Sequence, residues 1–110
     1  MDSLGLLRTA ASGMDAQRAV LDIEARNVAA AEAAGPTGSY ARLVPDFQLQ
    51  NDGETPEIAV AGSHVDPRST VDVISEMVAV LNATRAYEAN ASIFDIGKRL
   101  AERTIDMGKL

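Results

Sequence analysis

The sequence contains no cysteine and no tryptophan, and its aromatic residues are two tyrosines and two phenylalanines in 110 residues. The absence of cysteine excludes disulfides and thiol chemistry. With so few aromatic side chains, we do not expect a large conventional core. No run of 18 apolar residues occurs, so no transmembrane helix is predicted. The N-terminus also lacks the basic start and apolar centre of a cleavable signal peptide, so exit from the cytoplasm would need another export route.

Positive charge is scarce as well, because 10 basic residues face 16 acidic ones and the formal net charge is −6. This balance argues against nucleic acid or an anionic membrane surface as a partner. Hydrophobic residues make up 46% of the chain, which excludes a compositionally disordered protein. Much of that fraction is alanine, which favours helix. The length fits one small domain.

The last third of the chain, residues 69–107, has two apolar stripes at alternating steps of four and three. The first stripe comprises Val73, Met77, Val80, Thr84, Tyr87, Ala91, Phe94, Ala101 and Ile105, interrupted once by Lys98. The second comprises Ile74, Val78, Leu81, Ala89, Ile93, Leu100 and Met107. A mean step of 3.5 residues predicts a long helix that packs on partner helices. Two stripes need neighbours on two sides, so the pattern indicates an assembly protein.

A similar series marks the first 34 residues, which predicts a helix over residues 4–34 with Asp2 or Ser3 as its cap. Its members are Leu4, Leu7, Ala11, Met14, Leu21, Ala25 and Val28, with Arg18 as the exception. The matched spacing predicts that the two helices pack antiparallel, within one chain or across neighbours. We expect Leu7, Met14 and Leu21 to meet Tyr87, Val80 and Met77.

The middle of the chain reads as a small irregular or β-hairpin segment. Gly35 and Pro36 end the first helix. Residues 40–49 resemble a strand that Pro45 restricts to a sheet edge. Residues 51–56 read as a turn, residues 58–60 as a short second strand, and residues 62–68 as a polar connector. The predicted fold is mainly α, an antiparallel helical hairpin or coiled coil, with segments 1–34, 35–68 and 69–110 forming one domain.

Candidates for chemistry are few, and no catalytic, cofactor-binding or metal-ligating residue is predicted. His64 is the only histidine, and with Asp66 it could hold a metal weakly, but a solvated loop histidine is the favoured interpretation. Glu88 near Arg85 reads as a structural pair or a solvated carboxylate. No phosphate loop or HExxH motif occurs. No cofactor or small-molecule substrate is expected.

Two asparagines, Asn27 and Asn90, lie close to the apolar stripes. One interpretation is that they are tolerated at the edge of a helix interface. The other is that they bond across it and set the helix register, as a polar coiled-coil position does. The sequence leaves both interpretations open.

Specific strings resemble the signatures of flagellar rod and hook proteins. SGMDAQ at residues 12–17, with the later NVA and GSY, resembles the N-terminal signature; EMV and RAYEAN at residues 85–90 resemble the C-terminal one. The motif positions are Ser12, Gly13, Gln17, Asn27, Tyr40, Glu76, Arg85, Glu88 and Asn90. IAVAGSHVDP and the short length are similar to the proximal rod proteins of the C type, the FlgC family. Ala30 replaces the usual second asparagine, and the middle is shorter than is typical.

The resemblance implies a structural subunit of the bacterial flagellar basal-body rod, exported unprocessed by the flagellar type III apparatus. Such subunits assemble with themselves and with other rod proteins in the periplasm-spanning rod, which transmits torque and encloses the export channel. The expected packing and assembly residues are Leu7, Met14, Leu21, Val28, Val73, Met77, Val80, Tyr87 and Phe94. Two other functions remain open: a cytoplasmic coiled-coil adaptor or secretion chaperone that binds a partner helix, and a small enzyme using His64.

Overall fold

Two long helices flank a β-hairpin in the computed structural model, which describes residues 2–34, 41–52, 55–70 and 73–108. The elements are α1 (Ser3–Ala34), β1 (Ala41–Asp52), β2 (Thr55–Thr70) and α2 (Val73–Gly108). This architecture confirms the predicted mainly α fold with a hairpin in the middle. The predicted motif residue Tyr40 lies outside the described residues, and so does the side chain of Val73. The described part is elongated, with extents of 69 × 24 × 14 Å.

The start of α1 is set by Asp2, whose Oδ1 accepts a hydrogen bond from the backbone N–H of Gly5 at 2.7 Å. An acidic side chain at this position satisfies an amide that has no partner within the helix and complements the helix dipole. The backbone carbonyl of Asp2 also accepts from the N–H of Leu6 at 3.0 Å. The helix therefore begins at Ser3, one residue before the predicted start.

The two helices pack antiparallel, as predicted, in layers spaced seven residues apart. Leu6 contacts Gly97, and Asn90 contacts Gly13. The side chain of Asn27 reaches Glu76 at the other end of the pair. Small residues fill much of this interface. The buried positions of α1 are Gly5, Ala10, Gly13, Ala16, Val20, Ile23, Glu24 and Asn27.

The predicted partners along the helix pair are wrong within the chain. Leu7 lies against Gly97 rather than Tyr87. Tyr87 instead meets Arg18, whose Nη2 donates to its hydroxyl at 3.1 Å. The glycines explain the difference, because a residue without a side chain lets two helix backbones approach closely and so determines which levels face each other. The prediction had aligned the large apolar residues instead.

The hairpin is longer and more regular than predicted. β1 and β2 pair antiparallel from the pair Ala41 and Thr70 to the pair Asp52 and Thr55, with register shifts after Ala41 and after Asp46. The predicted polar connector over residues 62–68 is wrong, because these residues belong to β2. Pairing uses backbone groups, so polar side chains that face solvent are compatible with it. Pro45 pairs with Ser63 in a sheet of two strands, both of which are edges, as its presence in a strand requires.

The tip of the hairpin is held on the first half of α1. Thr9 Oγ1 donates to the carbonyl of Pro56 at 2.8 Å, and the N–H of Ile58 donates to Ser12 Oγ at 3.2 Å. Arg8 and Glu57 form an ion pair at 2.9 Å. The strands thus run alongside α1, with their tip near its N-terminal half and their base near its C-terminal half.

Candidate assembly interface

A row of exposed apolar side chains runs the length of α2. It comprises Ile74, Val78, Leu81, Ala89, Ile93, Leu100 and Met107, here called the outer stripe. The exposed fractions of its large side chains run from 42% at Ile93 to 71% at Ile74. Because monomeric proteins rarely expose large apolar patches, this row is a candidate surface for a partner. Two stripes were expected to need neighbours on two sides, and the side chains of this one are exposed in the single chain.

The N-terminal part of the outer stripe lies on the opposite side of α2 from α1. Glu76, Ala83 and Gly97 are buried and follow one another at heptad spacings on the side that faces α1. At 100° per residue, Val78 and Leu81 lie about 140–220° around the helix axis from Glu76 and Ala83. No rearrangement of α1 within this pair would cover both sides of α2 at once.

The first predicted stripe lies at the margin of the helix pair. Val80, Tyr87 and Phe94 on α2 are half-buried, whereas Met77 is exposed. On α1, the half-buried residues of the predicted interface are Leu7, Met14, Leu21 and Val28. These side chains are partly accessible from outside, and their role in assembly stays a prediction.

Arg18, the single interruption of the apolar series on α1, is matched to Tyr87 on α2. Its guanidinium donates to the tyrosine hydroxyl, and its Cζ lies 5.8 Å from the centroid of the ring. A cation above an aromatic ring is attracted by the electrons of the ring face. An arginine is therefore compatible with this position, since its charge stays in solvent.

The α2 helix also extends past the start of α1. Leu6 lies at the level of Gly97. The N-terminus of α1, at Ser3, therefore lies at about the level of Leu100. The remaining residues of α2, through Gly108, project beyond it. Ile105 and Met107 on this projecting end have exposed fractions of 59% and 67%.

A polar cluster joins the three parts of the fold at the other end of the molecule. It consists of Glu24 and Asn27 on α1, Arg42 on β1 and Glu76 on α2, here called the carboxylate cluster. Arg42 Nε donates to Glu76 Oε1 at 2.7 Å, and Arg42 Nη2 donates to Glu24 Oε1 at 3.3 Å. Glu24, Asn27 and Glu76 are each at most 2% exposed. One guanidinium thus bridges two buried carboxyl groups from different helices.

Asn27 fixes the backbone of the hairpin to the cluster. Its Nδ2 donates to the carbonyl of Leu43 at 3.0 Å, and its Oδ1 accepts from the N–H of Leu43 at 2.9 Å. Its Nδ2 also lies 3.4 Å from Glu76 Oε2. Of the two interpretations left open by the sequence, the bonding one fits Asn27. Asn90 differs, because its Nδ2 donates to the carbonyl of Ala86 in its own helix at 3.0 Å.

The carboxyl group of Glu24 in this cluster has a raised pKa. Burial, followed by the neighbouring Glu76 carboxyl, raises the pKa of Glu24 to about 7. Its Oε2 is buried and has no hydrogen-bond partner among the described residues. The apolar series and the motifs of the sequence do not single out Glu24. The available signal was its position three residues before Asn27, which places both on one helix face.

Some of the other motif residues make hydrogen bonds, and others are exposed to solvent. Ser12 Oγ donates to the carbonyl of Thr9 at 2.8 Å and accepts from Ile58. Gln17 is half-buried, and Arg85 and Glu88 are exposed. The structure therefore brings together the Gly13 and Asn90 motif positions, and separately those of Asn27 and Glu76.

His64 lies on β2 rather than in a loop. Its Nδ1 is 2.6 Å from Asp46 Oδ1 on the paired strand, and both side chains are exposed. The partner is Asp46 and not Asp66, because strand pairing decides which side chains are neighbours. Within residues 2–34, 41–52, 55–70 and 73–108, no group of three potential metal-ligating side chains occurs. In the same ranges, neither helix combines the length and apolar character needed to cross a membrane.

An elongated helical hairpin with an exposed apolar stripe belongs to the class of helical proteins that present a surface for packing against other helices. Residues 68–107 match the family described as flagellar basal body rod FlgEFG protein C-terminal. The chain is 31% identical to the flagellar basal-body rod protein FlgC of Aquifex aeolicus (strain VF5), over 99% of both chains. It is 28% identical to FlgC of Yersinia enterocolitica, over 99% of this chain and 100% of the other.

The chain therefore belongs to the FlgC family of flagellar basal-body rod proteins, which is a family of structural and not enzymatic proteins. The alignment with the Aquifex protein spans 133 positions, whereas this chain has 110 residues. The relative thus carries segments that this chain lacks.

Proposed function

We propose that this protein is a structural subunit of the proximal flagellar rod, in the basal body, where it assembles with copies of itself and with other rod proteins. It reaches the rod through the flagellar type III export apparatus without cleavage of a signal peptide. In the assembled rod it helps to transmit torque and to enclose the export channel. Similarity to FlgC proteins over 99% of the chain supports the proposal.

The observation that carries the proposal is the outer stripe. Its large side chains are each roughly half exposed, and burying the exposed half of one contributes about 1 kcal/mol. Several such contacts per subunit, repeated between neighbours, would contribute to holding an assembly together. The projecting end of α2 extends this surface beyond α1 through Met107, and it also exposes Ile105 of the first stripe, so that both side chains can reach an adjacent subunit.

An adaptor or secretion chaperone would also need an exposed apolar helix face, because it would bind a partner helix in the same way. The two functions differ in stoichiometry. A rod subunit packs against several neighbours and polymerises, whereas a chaperone binds one partner and stays soluble. Similarity to rod proteins over nearly the whole chain favours the rod subunit.

The test replaces the native gene by one that encodes Leu81→Asp together with Leu100→Asp. Both positions are already 49% and 44% exposed, so the helix pair should fold normally by circular dichroism. Two charges on the outer stripe should block assembly, because an unpaired charge is costly to bury. The matched control is Gln48→Asp, which adds charge at an exposed position on the hairpin.

We expect the double variant to be secreted, to be absent from purified basal bodies and to abolish swimming, while the control swims. Normal swimming of the double variant would contradict the proposal. Retention of the wild-type protein in the cytoplasm, in a complex with one partner at equal stoichiometry, would favour the chaperone function instead.

A further inference from the structure

The carboxylate cluster holds more negative than positive charge at a buried position. Glu24 on α1 and Glu76 on α2 share one cation, the guanidinium of Arg42 on β1. The side chains of Glu24 and Glu76 are only 3% and 0% exposed, so bulk solvent does not screen the excess. If both carboxyl groups were ionised, one buried negative charge would remain uncompensated, which is costly in a low-dielectric interior.

The geometry provides a place for one proton. Glu24 Oε1 accepts from Arg42, whereas Glu24 Oε2 is buried without a partner among the described residues. Among the described residues, the groups that face Glu24 are Asn27 from its own helix, Arg42 from β1 and Glu76 from α2. Of these, only Arg42 carries positive charge. A proton on the carboxyl pair therefore removes the excess charge without moving any side chain.

The cluster also determines how the base of the hairpin is attached. Arg42 belongs to β1 and contacts both helices through the two carboxyl groups. The next residue, Leu43, is bonded through both backbone groups to Asn27, whose amide in turn reaches Glu76. A change in the charge of the carboxyl pair therefore acts directly on the contact between β1 and the helices.

We propose that Glu24, Arg42 and Glu76 form a proton-sensitive clasp, closed while the carboxyl pair holds one proton and loosened at the base of the hairpin when that proton is lost. The raised pKa of Glu24, about 7 because of burial and the adjacent Glu76, places the transition near neutral pH. This property goes beyond the role of a rod subunit, since it couples the attachment of the hairpin to pH whatever the partner of the outer stripe.

Hydrogen exchange on the full chain tests the clasp at single amides. The Leu43 amide reports the base of the hairpin, because it donates to Asn27. The Ile58 amide reports the tip, because it donates to Ser12. Between about pH 5.5 and pH 8.5, we expect the protection factor of Leu43 to fall about tenfold relative to that of Ile58. Protection factors remove the intrinsic pH dependence of exchange.

Glu24→Gln keeps the shape of a protonated glutamate and cannot lose a proton, so the Leu43 protection factor should become independent of pH. Glu32→Gln, at an exposed position of the same helix, should behave as wild type. A pH-independent ratio in the wild-type chain, or an unchanged pH dependence in Glu24→Gln, would overturn the proposal. If Glu24→Gln does not fold, the carboxyl carbon of Glu24 in the wild-type chain decides by NMR. A titration midpoint near the ordinary 4.5 would refute the clasp, and one near 7 would support it.

Discussion

The side chain of Asn90 occupies the position that a β-carbon on Gly13 would need. Its Oδ1, Cγ and Nδ2 lie 2.6, 2.7 and 2.8 Å from that position. With Asn90 in this conformation, residue 13 has no room for a side chain. Gly97 plays a similar but looser role, since the atoms of Leu7 and Leu6 lie 3.2–3.4 Å from its corresponding position.

Replacing Gly13 by alanine should destabilise the protein. The new methyl group would displace Asn90 and break its bond to Ala86, at a cost of about 1–3 kcal/mol, partly offset by about 1 kcal/mol of helix propensity. Urea unfolding followed by circular dichroism would measure the loss. Gly108→Ala is the control, because nothing lies within 4 Å of that position.

Adding Asn90→Ala to Gly13→Ala should recover much of that loss, because it removes the obstructing side chain. A double-mutant cycle isolates this interaction from the separate effects of the two changes. Simple additivity of the two changes would show that Asn90 is not what prevents a side chain at residue 13.

Replacing Asn27 by alanine should cost about 2–4 kcal/mol of unfolding free energy. The change leaves the buried Asn27 site without its two bonds to Leu43 and its contact to Glu76, and unsatisfied buried groups are penalised by about 1–3 kcal/mol each. Chemical denaturation measures the loss, and Arg26→Ala is the control, because its ion pair with Asp22 is exposed. A cost for Asn27→Ala as small as that of Arg26→Ala would contradict a structural role.

The free energy of unfolding should fall as pH rises from about 4.5 to about 7. Burial raises the pKa of Glu24 above its ordinary value of 4.5, so the folded state binds more protons than the unfolded state across this window. This contribution to stability is complete below pH 4.5 and is lost as pH rises through about 7. A one-proton difference corresponds to a slope of at most about 1.4 kcal/mol per pH unit.

Urea denaturation at fixed ionic strength across that window would measure the slope. Glu24→Gln should flatten the profile, and the difference between the two chains isolates the contribution of Glu24. Stability of the wild-type chain that rises with pH, relative to Glu24→Gln, would show that the sign assigned to this group is wrong.

Replacing His64 by alanine should change stability by less than about 1 kcal/mol, because its pair with Asp46 is exposed to solvent. Swimming should also stay near normal, since the histidine is not expected to take part in chemistry. Thermal unfolding and a soft-agar assay would check both. A non-motile His64→Ala strain with normally folded, secreted protein would reopen a catalytic or metal-binding role.

The sequence predicted those features that depend on periodicity. The helix predicted over residues 4–34 is α1, Ser3–Ala34, and the long last helix corresponds to Val73–Gly108. The presence of two apolar stripes was predicted for the same reason, because alternating steps of four and three identify a helix face without knowledge of its partner, but the sequence did not indicate which of the two is exposed. The first strand, predicted over residues 40–49, is close to β1, whereas the second, predicted over residues 58–60, is much shorter than β2. The tip end of β2 contacts α1 through Thr9 and Ser12, which the local sequence of the strand does not indicate.

The register and the carboxylate cluster were not predictable in this way. Hydrophobic series favour the largest apolar residues, whereas Gly13 and Gly97 determine the register here through the absence of side chains. Glu24 looks like an ordinary solvated helix residue in the sequence. Its burial follows only from Arg42 and Glu76, which come from elements distant in the chain.

The heptad layers between α1 and α2 also determine which helices cannot pair. If α1 slid by seven residues in one direction, Val20 would face the Glu76 carboxylate and Leu6 would collide with Asn90. In the other direction, Gly13 would face Gly97 and leave a void, which costs packing energy. Many identical helices are close together in an assembling filament, and each resembles the correct partner. The alternation of glycine with larger residues therefore penalises misaligned pairs relative to the native one.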